Sequence, residues 1–173
     1  MQNASSIILE DNPELSGTIP SEIGLLNRLN ELSLQRTSIQ GTLPTEFYQL
    51  STLDYLRLGN TQLSGTISTK IALLQELRAL HIEGTFISGT IPEEIASIGE
   101  LMELRVNGNP YLTGSIPDEL CNSMLQPSRG HVWAAGGIVA DCDPSSAGVA
   151  AMSCPESCCA VCCDQETEIC MEQ

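Results

Sequence analysis

The chain has 173 residues, of which 22 are acidic and 7 basic, for a formal net charge of -15. This balance excludes binding to nucleic acid or an anionic membrane, since phosphate affinity depends on Lys and Arg neutralising charge. It favours solubility and attraction to basic partners or divalent cations, and no run approaches the roughly 18 apolar residues of a membrane span.

In chain order, residues 1–17 read as a partial repeat, with Ile7 and Leu9 in a strand and Asn12 at the turn that follows. Met1 opens no signal peptide, because neither a basic stretch nor an apolar run comes after it. End repeats need a cap, since their outer face otherwise exposes the core. The expectation is therefore a C-terminal fragment of a longer solenoid, or another chain packed on that end. Asn3-Ala4-Ser5 is a glycosylation sequon and agrees with secretion.

A period then sets in. Gly17, Gly41, Gly65, Gly89 and Gly114 recur 24 or 25 residues apart, each inside one phrase: LSGTIP from Leu15, IQGTLP from Ile39, LSGTIS from Leu63, ISGTIP from Ile87 and LTGSIP from Leu112. Ahead of each phrase runs L-x-x-L-x-L, as Leu29/Leu32/Leu34, Leu53/Leu56/Leu58, Leu77/Leu80/Ile82 and Leu101/Leu104/Val106. A fixed period in the twenties with this leucine spacing is the signature of a leucine-rich-repeat solenoid. The last two leucines of each pattern point inward from a short strand, and stacked repeats join those strands into a parallel concave sheet. Gly permits the tight turn, and Pro20, Pro44, Pro92 and Pro117 fix φ beside it. Ile23/Leu26, Phe47/Leu50, Ile71/Leu74 and Ile95/Ile98 have the i, i+3 spacing of short helical or 3₁₀ turns on the convex side. Glu93-Glu94 and Asp118-Glu119 suit the first turns of such segments, where the dipole favours acids.

The wording L-x-G-x-I-P, with Ile23-Gly24 and Ile98-Gly99 after it, resembles the plant-type leucine-rich repeat of receptor-kinase ectodomains and polygalacturonase-inhibitor-like proteins. The resemblance covers residues 4–120. It implies an α/β fold: a right-handed superhelix with an extra strand near Ser16–Thr18, Gln40–Thr42, Ser64–Thr66 and Ser88–Thr90. The family's turn asparagine stands at Asn12 and Asn109 but is Thr37, Thr61 and Thr85 between them, where Thr gives a weaker backbone hydrogen bond.

The chain divides into two domains: a solenoid over 1–120 and a cysteine-rich cap over 121–173. A Gly/Ser-rich passage runs from Pro127 to Gly137, and Ile138-Val139-Ala140 reads as one more strand closing the sheet. All eight cysteines fall in this tail: Cys121, Cys142, Cys154, Cys158, Cys159, Cys162, Cys163 and Cys170. An even number in a short tail reads as disulfides and an oxidising compartment, with about 105 pairings open. The tail resembles the C-terminal cap of secreted microalgal repeat proteins. The competing reading is zinc on Cys158-Cys159-x-x-Cys162-Cys163 with Cys154 or His131. No metal or other cofactor is expected.

Solenoids of this kind bind on the concave face. The position between the last two core residues reads Ile8, Ser33, Arg57, His81 and Arg105 from repeat to repeat. Neighbouring positions add Glu31, Arg36, Asp54, Tyr55, Arg78, Glu83 and Glu103, so four of the 7 basic residues share this face. One reading is a docking strip for an acidic or carboxylate-bearing partner. The other is lateral salt bridges, such as Asp11–Arg36 and Asp54–Arg78. His81 is read as an exposed imidazole. No catalytic set is present in the pattern, and the chain is expected not to be an enzyme. The expected function is an extracellular protein- or peptide-binding module, secreted or at the cell surface. The alternatives are a structural cell-wall or surface-layer protein and, from a resemblance to an ice-binding plant-type repeat protein, ice binding. The last would use the hydroxyl columns Thr18/Thr42/Thr66/Thr90/Ser115 and Thr37/Thr61/Thr85.

Overall fold

The computed structural model describes residues 5–124, 137–141, 159–163 and 170–172. Asn3, His131, Cys142, Cys154 and Cys158 lie outside the described residues. Each leucine pattern makes one strand of a first sheet: β1 (Ser6–Ile8), β3 (Glu31–Ser33), β5 (Tyr55–Arg57), β7 (Ala79–His81) and β9 (Glu103–Arg105). Each glycine phrase makes one strand of a second: β2 (Ser16–Thr18), β4 (Ser38–Gly41), β6 (Gln62–Thr66), β8 (Phe86–Gly89) and β10 (Tyr111–Leu112). These are the extra strands that the family resemblance implies, several of them beginning two residues earlier than expected.

Pairing between repeats is parallel and in register. Ile7, Leu32, Leu56, Leu80 and Leu104 form one ladder through the first sheet. Leu32, Leu56, Leu80 and Leu104 are buried, as are Ile39, Leu63, Ile87 and Leu112 beneath the second sheet. The expected convex turns are 3₁₀ helices at Ser21–Leu25, Thr45–Gln49, Thr69–Leu73 and Glu93–Ser97. In each, the i, i+3 pair is also a backbone hydrogen bond, as from Leu50 N to Phe47 O at 3.2 Å and Leu74 N to Ile71 O at 3.0 Å. Pro precedes three of these turns. The fourth has Ser68, whose hydroxyl accepts from Lys70 N and supplies the cap that Pro cannot. Every fully buried Leu or Ile contributes about 1.5–3 kcal/mol through lost apolar exposure, and no single repeat can bury its own.

Glycine at the second-sheet turns is required on two counts. Gly41, Gly65, Gly89 and Gly114 have φ between +82° and +91°, and each lies under the Thr methyl of the preceding repeat. Thr42 Cγ2 would stand 2.8 Å from a Cβ on Gly65.

Thr37, Thr61 and Thr85 make the backbone hydrogen bonds expected of them but not the hydroxyl column of the ice-binding alternative. They form no surface column: all three are buried, and each hydroxyl donates to the carbonyl three residues back, Leu34, Leu58 and Ile82 respectively. Burial follows from their role, because a threonine that satisfies the turn carbonyl must tuck beneath it. Asn109 fills the same position with more bonds. Its Nδ2 donates to Val106 O at 2.8 Å and Ile82 O at 2.9 Å, and its Oδ1 accepts from Thr85 N at 3.1 Å and Thr85 Oγ1 at 2.5 Å.

Beyond the repeats, α1 (Asp118–Met124) packs on the last 3₁₀ turn and buries Leu120 and Cys121 at the end of the core. Cys121 is disulfide-bonded. The expected closing strand is β11 (Gly137–Asp141), parallel to β9. Two further strands were not foreseen from the sequence. Cys159–Cys163 is β12, parallel to β11, and Cys170–Glu172 is β13, antiparallel to β12. The first sheet therefore runs β1-β3-β5-β7-β9-β11-β12-β13. No described helix is long and apolar enough to cross a membrane.

Candidate ligand-binding face

The register of the first sheet places the candidate residues in two columns. Ile8, Ser33, Arg57, His81 and Arg105 are successive rungs of one; Ser6, Glu31, Tyr55, Ala79 and Glu103 are rungs of the other. Neighbouring rungs are about 4.8 Å apart. Each basic rung meets a carboxylate. Arg57 pairs with Glu31 and lies over the Tyr55 ring, 4.9 Å from its centroid. Arg105 donates twice to Glu103 Oε1, at 2.6 and 2.9 Å.

His81 is not the exposed imidazole expected of it. Only 7% of the residue is accessible, and Nε2 lies 3.1 Å from Glu103 Oε2. Strand alternation did aim His81 outward, but the residue is buried, with the Glu103 carboxylate of the next strand against it. The imidazole beside Glu103, with Arg105, holds that carboxyl at about 2 despite partial burial. Ser33 is likewise covered, and it donates to Glu10 Oε2 at 2.8 Å.

The remaining candidates sit at the two rims. Arg36 follows β3 at a left-handed turn position, φ 54°, shared with Asp11, Asn60, Gly84 and Gly108 of the other repeats. It makes a two-pronged pair with Asp11 that lowers the Asp11 pKa and raises its own. Asp54 and Arg78 precede β5 and β7 and stand 3.5 Å apart at the opposite rim. There they border a shallow pocket of about 510 Å³ with Asn30, Thr52 and Glu76. Burial raises the Asp54 pKa against the pull of Arg78, and Asp54 Oδ1 is buried without a hydrogen-bond partner. Both lateral pairs named from the sequence, Asp11–Arg36 and Asp54–Arg78, are present.

One feature was missed. The second position after each strand reads Glu10, Gln35, Gly59, Glu83 and Asn107, and the glycine leaves a gap. The Glu83 carboxylate fills it: a Cβ on Gly59 would run into it, and Oε1 reaches Gln35 Nε2 at 3.4 Å, two repeats away. Aligning the repeats column by column reveals the odd glycine. The face is thus a mosaic of ion pairs, with Glu10, Asp11, Glu31, Asp54, Glu83 and Glu103 set among Arg36, Arg57, Arg78 and Arg105.

No family model and no curated protein matches the chain. Solved structures do. The plant peptide hormone receptor RGFR1, in complex with RGF2, is 35% identical at a TM-score of 0.66, over 69% of this chain and 19% of that one. The leucine-rich-repeat ectodomain of the receptor kinase SOBIR1 from Arabidopsis thaliana is 27% identical at 0.63, over 67% and 62%. A plant ice-binding protein is 33% identical at 0.63, over 68% and 38%. The chain thus spans less than two thirds of the length of each. Repeat period, parallel double-sheet architecture and these likenesses together make the chain a plant-type leucine-rich-repeat protein.

Proposed function

We propose that the concave first sheet is the binding face of an extracellular, non-catalytic module that takes a protein or peptide. The observation that carries this reading is the pair of partly exposed arginines, Arg57 and Arg105, on either side of buried His81 in one column, flanked by Glu31, Tyr55 and Glu103. Arg57 and Arg105 are already paired within the face but remain partly exposed, so an arriving carboxylate can exchange with Glu31 or Glu103. A tyrosine under a guanidinium adds a flat anchor of the kind enriched at binding hot spots. Peptide recognition by the similar receptor RGFR1 supports the assignment. The same likeness and the cysteine-rich tail support secretion or cell-surface display.

The test is selection of binders from a displayed peptide library on the native protein, with recovered peptides re-measured on Arg57→Glu/Arg105→Glu. Affinity for the variant should fall at least tenfold for peptides bearing carboxylates; unchanged affinity refutes the concave site.

A second reading rests on the exposed Thr18, Thr42, Thr66 and Thr90 column of the second sheet and on the similar ice-binding protein. It assigns that column to contact with ice. Thermal hysteresis at high protein concentration tests it, and none at all removes it.

A further inference from the structure

We propose that the outer face of the second sheet docks an uncharged polysaccharide, with Phe86 and Tyr111 as its stacking platform. The first observation is a segregation of charge. Segments 15–21, 37–45, 58–69, 84–92 and 106–117 contain β2, β4, β6, β8 and β10 with their turns, and they hold no Asp, Glu, Lys or Arg; the one charge at the repeat position of Phe86 and Tyr111 is Glu14, in the first repeat at the far end from the rings. In a chain of net charge -15 this leaves one neutral wall beside two charged ones.

The second observation is where the aromatic rings go. Phe47 and Tyr48 are buried in the core, and Tyr55 lies under Arg57. Phe86 and Tyr111 instead remain 48% and 58% exposed, on adjacent repeats of the neutral wall. Their ring centroids are 6.4 Å apart, with planes tilted by 32°. Covering such rings removes apolar surface from water, so an exposed adjacent pair is a surface that gains from being covered.

The chemistry of the wall selects the occupant. A pyranose ring offers an apolar C–H face for aromatic stacking and a rim of hydroxyls for amides and alcohols. The neutral wall supplies both. Gln40 and Gln62 are exposed beside the aromatic end. Ser88 and Thr113 use their protons on Gly65 O and Gly89 O, at 3.0 and 3.1 Å, which leaves oxygen lone pairs to accept from sugar hydroxyls. Rungs about 4.8 Å apart are on the scale of one sugar unit. A polyanion is disfavoured by the overall charge, and a polycation finds no carboxylate near the rings, only Glu14 at the far end of the wall. The site uses none of the concave residues and stands or falls separately from the peptide-binding reading.

The experiment is affinity electrophoresis of the full chain in native gels containing hydroxyethylcellulose, a soluble β-1,3-glucan, xylan or mannan, with alginate as the anionic control. At least one neutral polymer should retard the protein and alginate should not. Phe86→Ser/Tyr111→Ser should weaken retardation at least tenfold with an unchanged circular dichroism spectrum. Thr90→Glu, which places one charge on the wall, should weaken it too, whereas Glu93→Lys on the 3₁₀ ridge should not. Retardation by none of the neutral polymers overturns the proposal, as does equal retardation of the double variant, or retardation by alginate as strong as by the neutral polymers.

Discussion

Asn109→Ala isolates how far one buried amide ties two repeats together. Asn109 is 2% exposed and its side chain makes five hydrogen bonds, the longest to Asn107 O at 3.4 Å. Alanine deletes all five, but the damage is unequal. Ile82 O keeps the Thr85 hydroxyl at 3.1 Å, and that hydroxyl keeps Ile82 O. Val106 O and Thr85 N lose the partners they have in Asn109. A buried polar group left unsatisfied costs about 1–3 kcal/mol, so the variant should lose roughly 2–5 kcal/mol. Thr61→Val is the internal control, because it removes one hydroxyl from Leu58 O and should cost about 1–2 kcal/mol. Urea unfolding followed by far-ultraviolet circular dichroism gives both values, provided the slope with denaturant is unchanged. Stability in a solenoid sums repeat and nearest-neighbour terms, so amide exchange should quicken first between residues 82 and 113. A loss below about 1 kcal/mol for Asn109→Ala, or one no larger than for Thr61→Val, would refute the reasoning.

Glu103 makes stability depend on acid. Its folded pKa of about 2 lies below the ordinary 4.5, so its contribution is complete above pH 4.5 and disappears as pH falls through 2. That contribution is on the order of 3 kcal/mol at most. Glu103→Gln should be less stable at pH 7, with the difference shrinking between pH 4.5 and 2; parallel curves in a urea-midpoint series would contradict this. Gly65→Ala forces a side chain to φ +86° and against the Thr42 methyl, whereas Gly17→Ala meets nothing within 4 Å. Gly65→Ala should therefore lose about 1–2 kcal/mol from backbone strain and more from the contact, and adding Thr42→Ser should recover only the second part. Gly24→Ala drives a Cβ into the Glu46 backbone, which has nowhere to go, and should cost about 1–3 kcal/mol. Gly59→Ala meets only the movable end of Glu83 and should be nearly neutral; equal melting temperatures for these two variants would count against the geometry.

The period made much of this architecture readable before any coordinates. Leucines at i, i+3 and i+5 and a glycine every 24 residues leave one stacking solution, and that solution sets Asp54 opposite Arg78. The side-chain environment on the face was harder to read. Alternation assigns His81 to the outside, but whether it stays accessible depends on the side chains around it, and the Glu103 carboxylate lies against it. Arg36 was placed on the same face by counting. A left-handed residue at the strand's end turns it to the rim, and nothing in a lone arginine announces a positive φ. The buried threonines were half legible: their hydrogen bonding followed from replacing asparagine, but their burial required knowing that the turn folds over them. The charge-free wall was fully written in the sequence, and it emerges only when the glycine phrase is treated as a surface as well as a turn.

The reversal of β13 in the first sheet bears on polymerisation. A coil of identical parallel rungs is an open-ended template, and a second molecule that continued it head to tail would extend into a filament. From β1 to β12 every strand runs the same way, and β13 runs against them. Among the described residues β13 is the last strand of this sheet, and a strand continuing the coil's direction beyond it would pair antiparallel, with its leucine pattern no longer stacked on those beneath. Strand polarity itself thus works against in-phase stacking of a second coil on that edge, with no repulsive charge required.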